Sequence, residues 1–347
     1  MAKVKRIAGL HCLAPADKML PLVLRAQLKK MCALGDKALD WKDPEGVHDM
    51  RVLSRRLRSA ISDFKPYVRK STLPRQKLVA IAKRLGAVRD EDVALAALEE
   101  LKTKAPGLAA EGIEMLAEER RQRRKEARTA LKAVIKASAV SDFRKEFTTK
   151  LRAIAIVPQK KLAGKQVDET GVFACVGAEI IKDRLKELCA ASSHIYLPFE
   201  NKELHELRIL AKRLRYSIEL FGACWGDEME EIAREIALLQ TSLGELHDCD
   251  VWMGSLGTRL KQTARKNRKD EDNIRLREGA SWLLKHFARE RMEHYREALT
   301  RWQHWEAGGF LERLKSILDQ DFGSSQKRPP KVQASLSSSP ASNIKPI

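Results

Sequence analysis

The sequence predicts an all-α protein made of two similar helical units, and three observations carry that prediction. Ala, Leu, Lys, Arg and Glu dominate, charged residues reach 33% and aromatics only 5%, a balance that favours helix over a β-sandwich. At 347 residues the chain is long enough for two units that each bury a core. The chain also repeats itself. VHDMRVLSRRLRSAISDF (Val47–Phe64) aligns without gaps on LHELRILAKRLRYSIELF (Leu204–Phe221) at an offset of 157, with eight of eighteen positions identical. LGAVRDEDV (Leu85–Val93) aligns on LGELHDCDV (Leu243–Val251) at an offset of 158, with five of nine identical. A weaker echo sets Glu111-Gly112 against Glu278-Gly279 at an offset of 167. Matches in order at nearly one offset indicate a duplication.

Residues 15–155 are read as the first repeat and 171–321 as the second, joined by a polar, Gly- and Pro-bearing linker at 156–170. Apolar periodicity in the first repeat predicts helices at about 18–38, 45–66, 74–103 and 108–138, with a shorter closing helix at about 141–155. The third is expected to break near Gly86. Residues 322–347 are rich in Ser and Pro and are predicted to be disordered. The basic stretch Arg265 to Asp272 is read as a solvated loop or frayed helix end. No run of ~18 apolar residues occurs and the N-terminus lacks a signal-peptide pattern, so a soluble, cytoplasmic protein is expected. The six cysteines form no CxxC pair, which argues against a zinc ribbon or a redox dithiol; they are expected to be reduced and buried.

With each helical residue advancing about 100°, a wheel with His48 at zero places Arg51, Arg55 and Arg58 at about 280–340°. Met50, Leu53, Leu57, Ala60, Ile61 and Phe64 fall at about 120–220°. One imidazole and a stack of guanidiniums thus oppose an apolar stripe, and His205, Arg208, Lys212, Arg213 and Arg215 repeat the pattern. Surface helices usually intersperse acids among their cations, because like charges at helical spacing repel. These faces carry almost none, which makes physical sense if a polyanion settles on them.

A later helix in each repeat adds inward arginines. Arg120 and Arg124 interrupt the stripe Ile113, Leu116, Ala127, Leu131, Val134, and Arg291 interrupts Leu283, Phe287, Tyr295, Ala298 at the place equivalent to Arg124. Such a side chain can snorkel to solvent. Its recurrence in both copies points instead to guanidiniums lining an internal groove, paired when empty with a carboxylate such as Asp90 or Asp248. Those acids follow Leu-Gly and precede a new periodicity, so N-capping is the economical reading of Asp90 and Asp248; orienting an arginine or binding a metal are the alternatives.

At these residues the sequence resembles the conserved histidine α-helical domain family, CHAD. The resemblance rests on the doubled H-x-x-R-x-x-x-[RK]-R-L-R, each followed about thirty residues later by L-G-x-x-x-D-x-D-V, and it covers roughly residues 15 to 320. It implies two pseudo-symmetric four-helix bundle repeats packed around a basic central groove or pore that binds inorganic polyphosphate. Carried over by position, His48, Arg51, Arg55 and Arg58 match the first motif, and His205, Arg208, Lys212 and Arg215 the second. Lys212 keeps the charge of Arg55 but not its bidentate geometry. Arg89 becomes His247 in the second copy, a position expected to be cationic only at lower pH. An N-terminal triphosphate tunnel domain, carried by some members, has no room before Leu20, so a stand-alone member is expected.

The leading functional expectation is non-catalytic binding of polyphosphate by His48, Arg51, Arg55, Arg58, Arg89, Arg124, His205, Arg208, Lys212, Arg215 and Arg291, in the cytoplasm or on polyphosphate granules, with no cofactor, metal or membrane. The formal net charge of +19 also fits contact with a nucleic-acid backbone, and weak binding at low salt is expected of it. Against that as the main role, Tyr216 is the only aromatic inside either motif. A metal-dependent phosphohydrolase is suggested by His48-Asp49 and His247-Asp248, but the first pair is not repeated and cations surround it.

Overall fold

Four helices in succession begin directly after a proline: α1 (Ala16–Cys32) after Pro15, α2 (Glu45–Asp63) after Pro44, α3 (Arg75–Lys104) after Pro74 and α4 (Gly107–Ile135) after Pro106. Proline has no N–H to leave unpaired, and its fixed φ starts a helix cleanly. A shorter α5 (Ala137–Arg152) follows. The order then recurs as α6 (Phe173–Ala190), α7 (Asn201–Phe221), α8 (Asp227–Ala264), α9 (Glu271–Ala307) and the short α10 (Phe310–Leu318). These come from a computed structural model that describes residues 7–68, 73–153, 171–264 and 270–319. Among the described residues the architecture is all-α, with one isolated β-bridge between Pro15 and Val172. The linker at 156–170, the tail at 322–347 and residues 265–269 of the basic stretch lie outside the described residues.

Two expectations about local structure are corrected. α3 runs unbroken through Gly86, and α8 through Gly244. Asp90 and Asp248 are therefore mid-helix residues and cap nothing; a capping aspartate does occur at Asp270, whose carboxylate accepts from the Asp272 N–H at 3.2 Å.

Apolar side chains form two main clusters. The larger gathers α1, α2, α5, α6, α7 and α10 with the near ends of the long helices, through residues such as Leu20, Met50, Leu57, Phe64, Leu85, Leu131, Phe221 and Trp302. A smaller one joins the far ends of α3, α4, α8 and α9 through Leu95, Leu98, Ile113, Leu116, Leu256, Leu283 and Phe287. Between the two, each long helix carries polar residues: Arg89 to Asp92 on α3, Arg120 to Arg124 on α4, His247 and Asp248 on α8, Arg291 on α9. The interruptions of the apolar stripes coincide with this boundary layer.

Several residues equivalent in the aligned sequence segments touch each other. Phe64 and Phe221 make an edge-to-face contact at 6.0 Å between ring centroids. Gly112 and Gly279 meet where α4 crosses α9: a Cβ on Gly112 would lie 1.9 Å from the Arg275 carbonyl oxygen, and one on Gly279 2.7 Å from the carbonyl carbon of Gly112. The weak Glu-Gly echo is thus a crossing of two backbones that admits only glycine. Asp63, buried at the end of α2, joins three helices by accepting from Arg184 of α6 at 2.8 Å and from the Ser217 hydroxyl of α7 at 3.0 Å.

The cysteine expectation is also corrected. Cys12 and Cys224 form a disulfide, with Cα atoms 5.4 Å apart, while Cys32, Cys189 and Cys249 are free thiols. The arm before α1 lies along the start of α6, where the Phe173 N–H donates to the Ala14 carbonyl and the Ala174 N–H to that of Cys12, both at 3.0 Å. That path carries Cys12 to the turn after α7, a pairing 212 residues apart in sequence that spacing rules cannot foresee.

The glycine crossing has a measurable cost of substitution. Gly112→Ala should destabilise the protein by about 3 kcal/mol in urea unfolding, because its methyl group meets backbone that cannot move aside. Gly254→Ala, on α8 with open space around it, should be neutral or stabilising.

Candidate functional site

α2 and α7 pack together, so the cation faces of the two motif helices adjoin. Lys212 of α7 feels the charges of Arg208 on its own helix and of Arg55 and Arg51 on α2, and Arg55 in turn feels Arg51 and Arg215. α3 and α8 flank this cleft and bring Asp90 and Asp248 within each other's influence. His48 sits at one margin near Arg89, which lies 3.9 Å from Glu45. His205 sits at another, its ring stacked on His247 at 3.9 Å.

The Leu-Gly and Asp elements of the second motif find their purpose here. A Cβ on Gly86 would meet Arg51 Nε at 3.6 Å, and one on Gly244 would meet Arg208 Nε at 3.4 Å. Each guanidinium therefore passes within van der Waals range of the neighbouring helix at its glycine. Arg51 then donates to Asp90, one turn on from Gly86, at 3.2 Å. Asp248 occupies the equivalent position in α8 and feels the charge of Arg208.

Positive charge in the cleft exceeds what these acids neutralise. Among the described residues, Arg55, Arg208 and Lys212 have no carboxylate within 4.0 Å, and neither does the exposed Arg58. The Nε atoms of Arg55 and Arg208 and Nδ1 of His205 are buried without a hydrogen-bond partner. Burial first, then the neighbouring arginines, brings the Lys212 amine down to about 8. Burial also pushes Arg55 below the usual guanidinium range. The His247 ring is driven to about 4 by burial, His205 and Arg208, and His48 and His205 are lowered in the same way. Asp90 and Asp248 are raised by desolvation in spite of their arginines. Every shift but the last two disfavours adding positive charge, as expected of a cluster of like charges. Arg215 is less available, since it pairs with Glu219 at 3.2 Å and stacks on Tyr216; Glu219 also holds Arg56 at 2.8 Å.

The expected partners of the inward arginines are corrected. Two residues along a helix is a turn of about 200°, so Asp92 and Asp250 point away from the cleft toward α4 and α9. Arg291, 5% exposed, donates to Asp250 at 2.6 Å and to the Pro198 carbonyl and Asn201 Oδ1 at 2.7 Å. Through Nε and Nη2 it fastens α8 and α9 to the start of α7. Arg124 lies 2.6 Å from Asp92 and remains partly exposed. Arg128, absent from the sequence expectations, lies 3.5 Å from Asp92, donates to the Trp41 carbonyl at 3.5 Å and stacks on the Trp41 ring. Trp41 precedes His48 by the same seven residues as Pro198 precedes His205, so Arg124 and Arg128 divide the task that Arg291 performs alone. Arg120 pairs with Glu91 at 3.1 Å and lies over Trp252. Among the described residues no three His, Cys, Asp or Glu side chains converge as metal ligands.

A family model described as CHAD domain matches residues 22–257, more than half of the chain. The chain belongs to the CHAD domain family. Its fold is similar to the crystal structure of the CHAD domain from the plant Ricinus communis, with a TM-score of 0.62 and 19% identity over 90% of this chain and 94% of that one. It is also similar to PptA from Streptomyces chartreusis, with a TM-score of 0.60 and 18% identity over 84% of this chain and 100% of that one. No match was found among curated proteins. α9 and α10 lie beyond the family match yet complete the CHAD fold seen here, since α9 supplies Arg291 and half of the glycine crossing.

Two measurements check this assignment of roles within the CHAD domain. Arg291→Met should lose about 3–5 kcal/mol of stability, because Asp250 is left without its partner, whereas Arg58→Met should change stability by less than about 0.5 kcal/mol. His247 should stay neutral by NMR titration down to about pH 4. Because its folded value lies below the unfolded one, acidification from about pH 6.5 to 4 protonates the unfolded chain first and costs stability. His247→Gln should remove that part of the acid sensitivity; Asp90 and Asp248 act in the opposite sense, so the difference between variant and wild type isolates the ring.

Proposed function

We propose that the cleft between α2 and α7 binds inorganic polyphosphate without turning it over. The observation that carries this reading is the set of cations from both motif helices, Arg55, Arg208 and Lys212, crowded together with no carboxylate partner among the described residues. A folded protein that keeps such charges adjacent has free energy to gain from an anion that bridges them. Polyphosphate is narrow and flexible and carries about one negative charge per phosphoryl unit, which suits guanidiniums that clamp oxygens in pairs. Arg51, Arg58, His48 and His205 extend the surface on either side. Arg89 and Arg215 belong to its margin, held by Glu45 and Glu219. Arg124 and Arg291 support the frame. Family membership agrees with the proposal. A cluster built of cations that clamp phosphate oxygens favours holding the polymer.

The test compares long-chain polyphosphate, orthophosphate and single-stranded DNA at physiological salt, with phosphate release followed in parallel. Polyphosphate should bind far more tightly than orthophosphate, since tethered phosphates raise one another's effective concentration, and binding should weaken steeply with salt. Saturating polyphosphate, at about 100 times its Kd, should stabilise the fold by about 2.7 kcal/mol. Equal affinity for single-stranded DNA would transfer the proposal to nucleic acid, and stoichiometric phosphate release would make the protein an enzyme. Arg51→Glu with Arg55→Glu should weaken binding by at least about tenfold, and Arg208→Glu with Lys212→Glu by a similar factor. If one pair is silent while the other abolishes binding, the two helices do not share one site.

A further inference from the structure

Within the cation cluster the two motif helices differ in kind of base: Arg55 of α2 is matched by Lys212 of α7. A guanidinium stays protonated and is a poor nucleophile, whereas an amine that sheds its proton is a good one. Lys212 is half-buried, one helical turn from Arg208, with Arg55 and Arg51 facing it from α2 and Arg213 beside it. The other ionisable groups at this end of the cleft are His205, His247, Asp90 and Asp248. None of the carboxylates among the described residues lies within 4.0 Å of Lys212.

We propose that Lys212 is an acylation site, its ε-amine attacking an acyl phosphate whose phosphoryl group docks on Arg208, Arg55 and Arg51. The proposal rests on the reading of the cleft as a phosphoryl-binding surface. The amine lone pair forms a C–N bond to the acyl carbon, and the C–O bond to phosphorus-bound oxygen breaks. Phosphate leaves with that electron pair, taking up the proton that nitrogen loses. The products are an amide, which carries no charge, and hydrogen phosphate. The arginines that hold the reagent also favour the departing anion, and proximity replaces a bimolecular encounter with a positioned one.

The ionisation of the amine supports this geometry. At about 8, against 10.5 for an ordinary lysine, roughly a quarter of Lys212 is neutral at pH 7.5, compared with about one part in a thousand. Lower basicity makes the amine a weaker nucleophile, with a Brønsted slope of about 0.4–0.5 in the related thiol case, which leaves an advantage of about tenfold. Acylation then removes one cation from the cleft and weakens its hold on a polyanion.

The full chain is treated at pH 7.5 with acetyl phosphate and, in parallel, with N-acetoxysuccinimide, which acetylates amines without a phosphate group. Peptide mass spectrometry follows Lys212 and the exposed Lys202 near the start of the same helix. Lys212 should react with acetyl phosphate about tenfold faster than Lys202. The ratio of its rates with the two reagents should fall about tenfold in Arg208→Gln and, in the wild type, on adding inorganic pyrophosphate, an arm that needs no variant to fold. Taking this ratio cancels the change in amine ionisation that the substitution itself causes. Lys212 reacting no faster than Lys202, or a ratio that neither change moves, overturns the proposal. Polyphosphate binding is measured separately on unmodified protein. Binding without selective acylation removes this inference alone, whereas selective, pyrophosphate-sensitive acylation without polyphosphate binding removes the proposed function alone.

Discussion

Arginines set between two apolar clusters dictate much of this structure. A guanidinium taken out of water needs acceptors, and an unpaired one would cost more stability than most single contacts supply. The DxD element of each repeat answers that need from one short piece of helix. Its second acid, Asp92 or Asp250, faces α4 or α9 and receives Arg124 and Arg128, or Arg291. Its first, Asp90 or Asp248, faces the cleft on the opposite side of the same helix. The spacing of two therefore links the internal frame to the surface where the cations gather, and the loops ahead of α2 and α7 are tied to it through the Trp41 and Pro198 carbonyls.

Within that frame the cleft is an arrangement of unequal neutralisation. Arg51 has Asp90 and passes close to α3 at Gly86. Among the described residues Arg55, Arg208 and Lys212 have no such carboxylate within reach, and burial, followed by neighbouring arginines, depresses both Lys212 and Arg55. The apolar stripes of α2 and α7 keep the helices in place in spite of this, through Met50, Leu57 and Ile61 on one side and Leu207, Leu214 and Ile218 on the other. Stability is thus held in the core, and the cation face is left unsatisfied without threatening the fold.

The helical class, the two-faced motif helices and the cations that adjoin were legible from periodicity and from the repeat, because both depend on residues close in sequence. What escaped depends on residues far apart. The Leu-Gly pattern predicts a break at Gly86, whereas the helix continues there and the Arg51 guanidinium that lies against it comes from 35 positions earlier. Asp90 and Asp248 were read as caps because a local carboxylate after glycine fits that role, and only the packed structure shows the arginine across the gap. Arg291 was placed in a groove because an interrupted stripe does not reveal the apolar clusters on either side of it. Cys12 and Cys224 meet only because the N-terminal arm runs along α6. Arg128 carried a signal that was available, one turn beyond Arg124 on the same face, but its partner Trp41 was not.

The meeting of equivalent residues has a consequence for what the cleft can distinguish. Phe64 faces Phe221, Asp90 feels Asp248 and Gly112 crosses Gly279, so equivalent residues of the two aligned segments meet in pairs. Walls that draw cations from equivalent positions of two helices would present similar charges to a polymer entering from either side. A strand with distinct head and tail would find its orientation unread, whereas a chain that is identical from both ends loses nothing by it and can slide in without first turning round. Lys212 in place of Arg55, His247 in place of Arg89, and the pairing of Arg51 with Asp90 and of Arg215 with Glu219 are among the points at which the two directions differ.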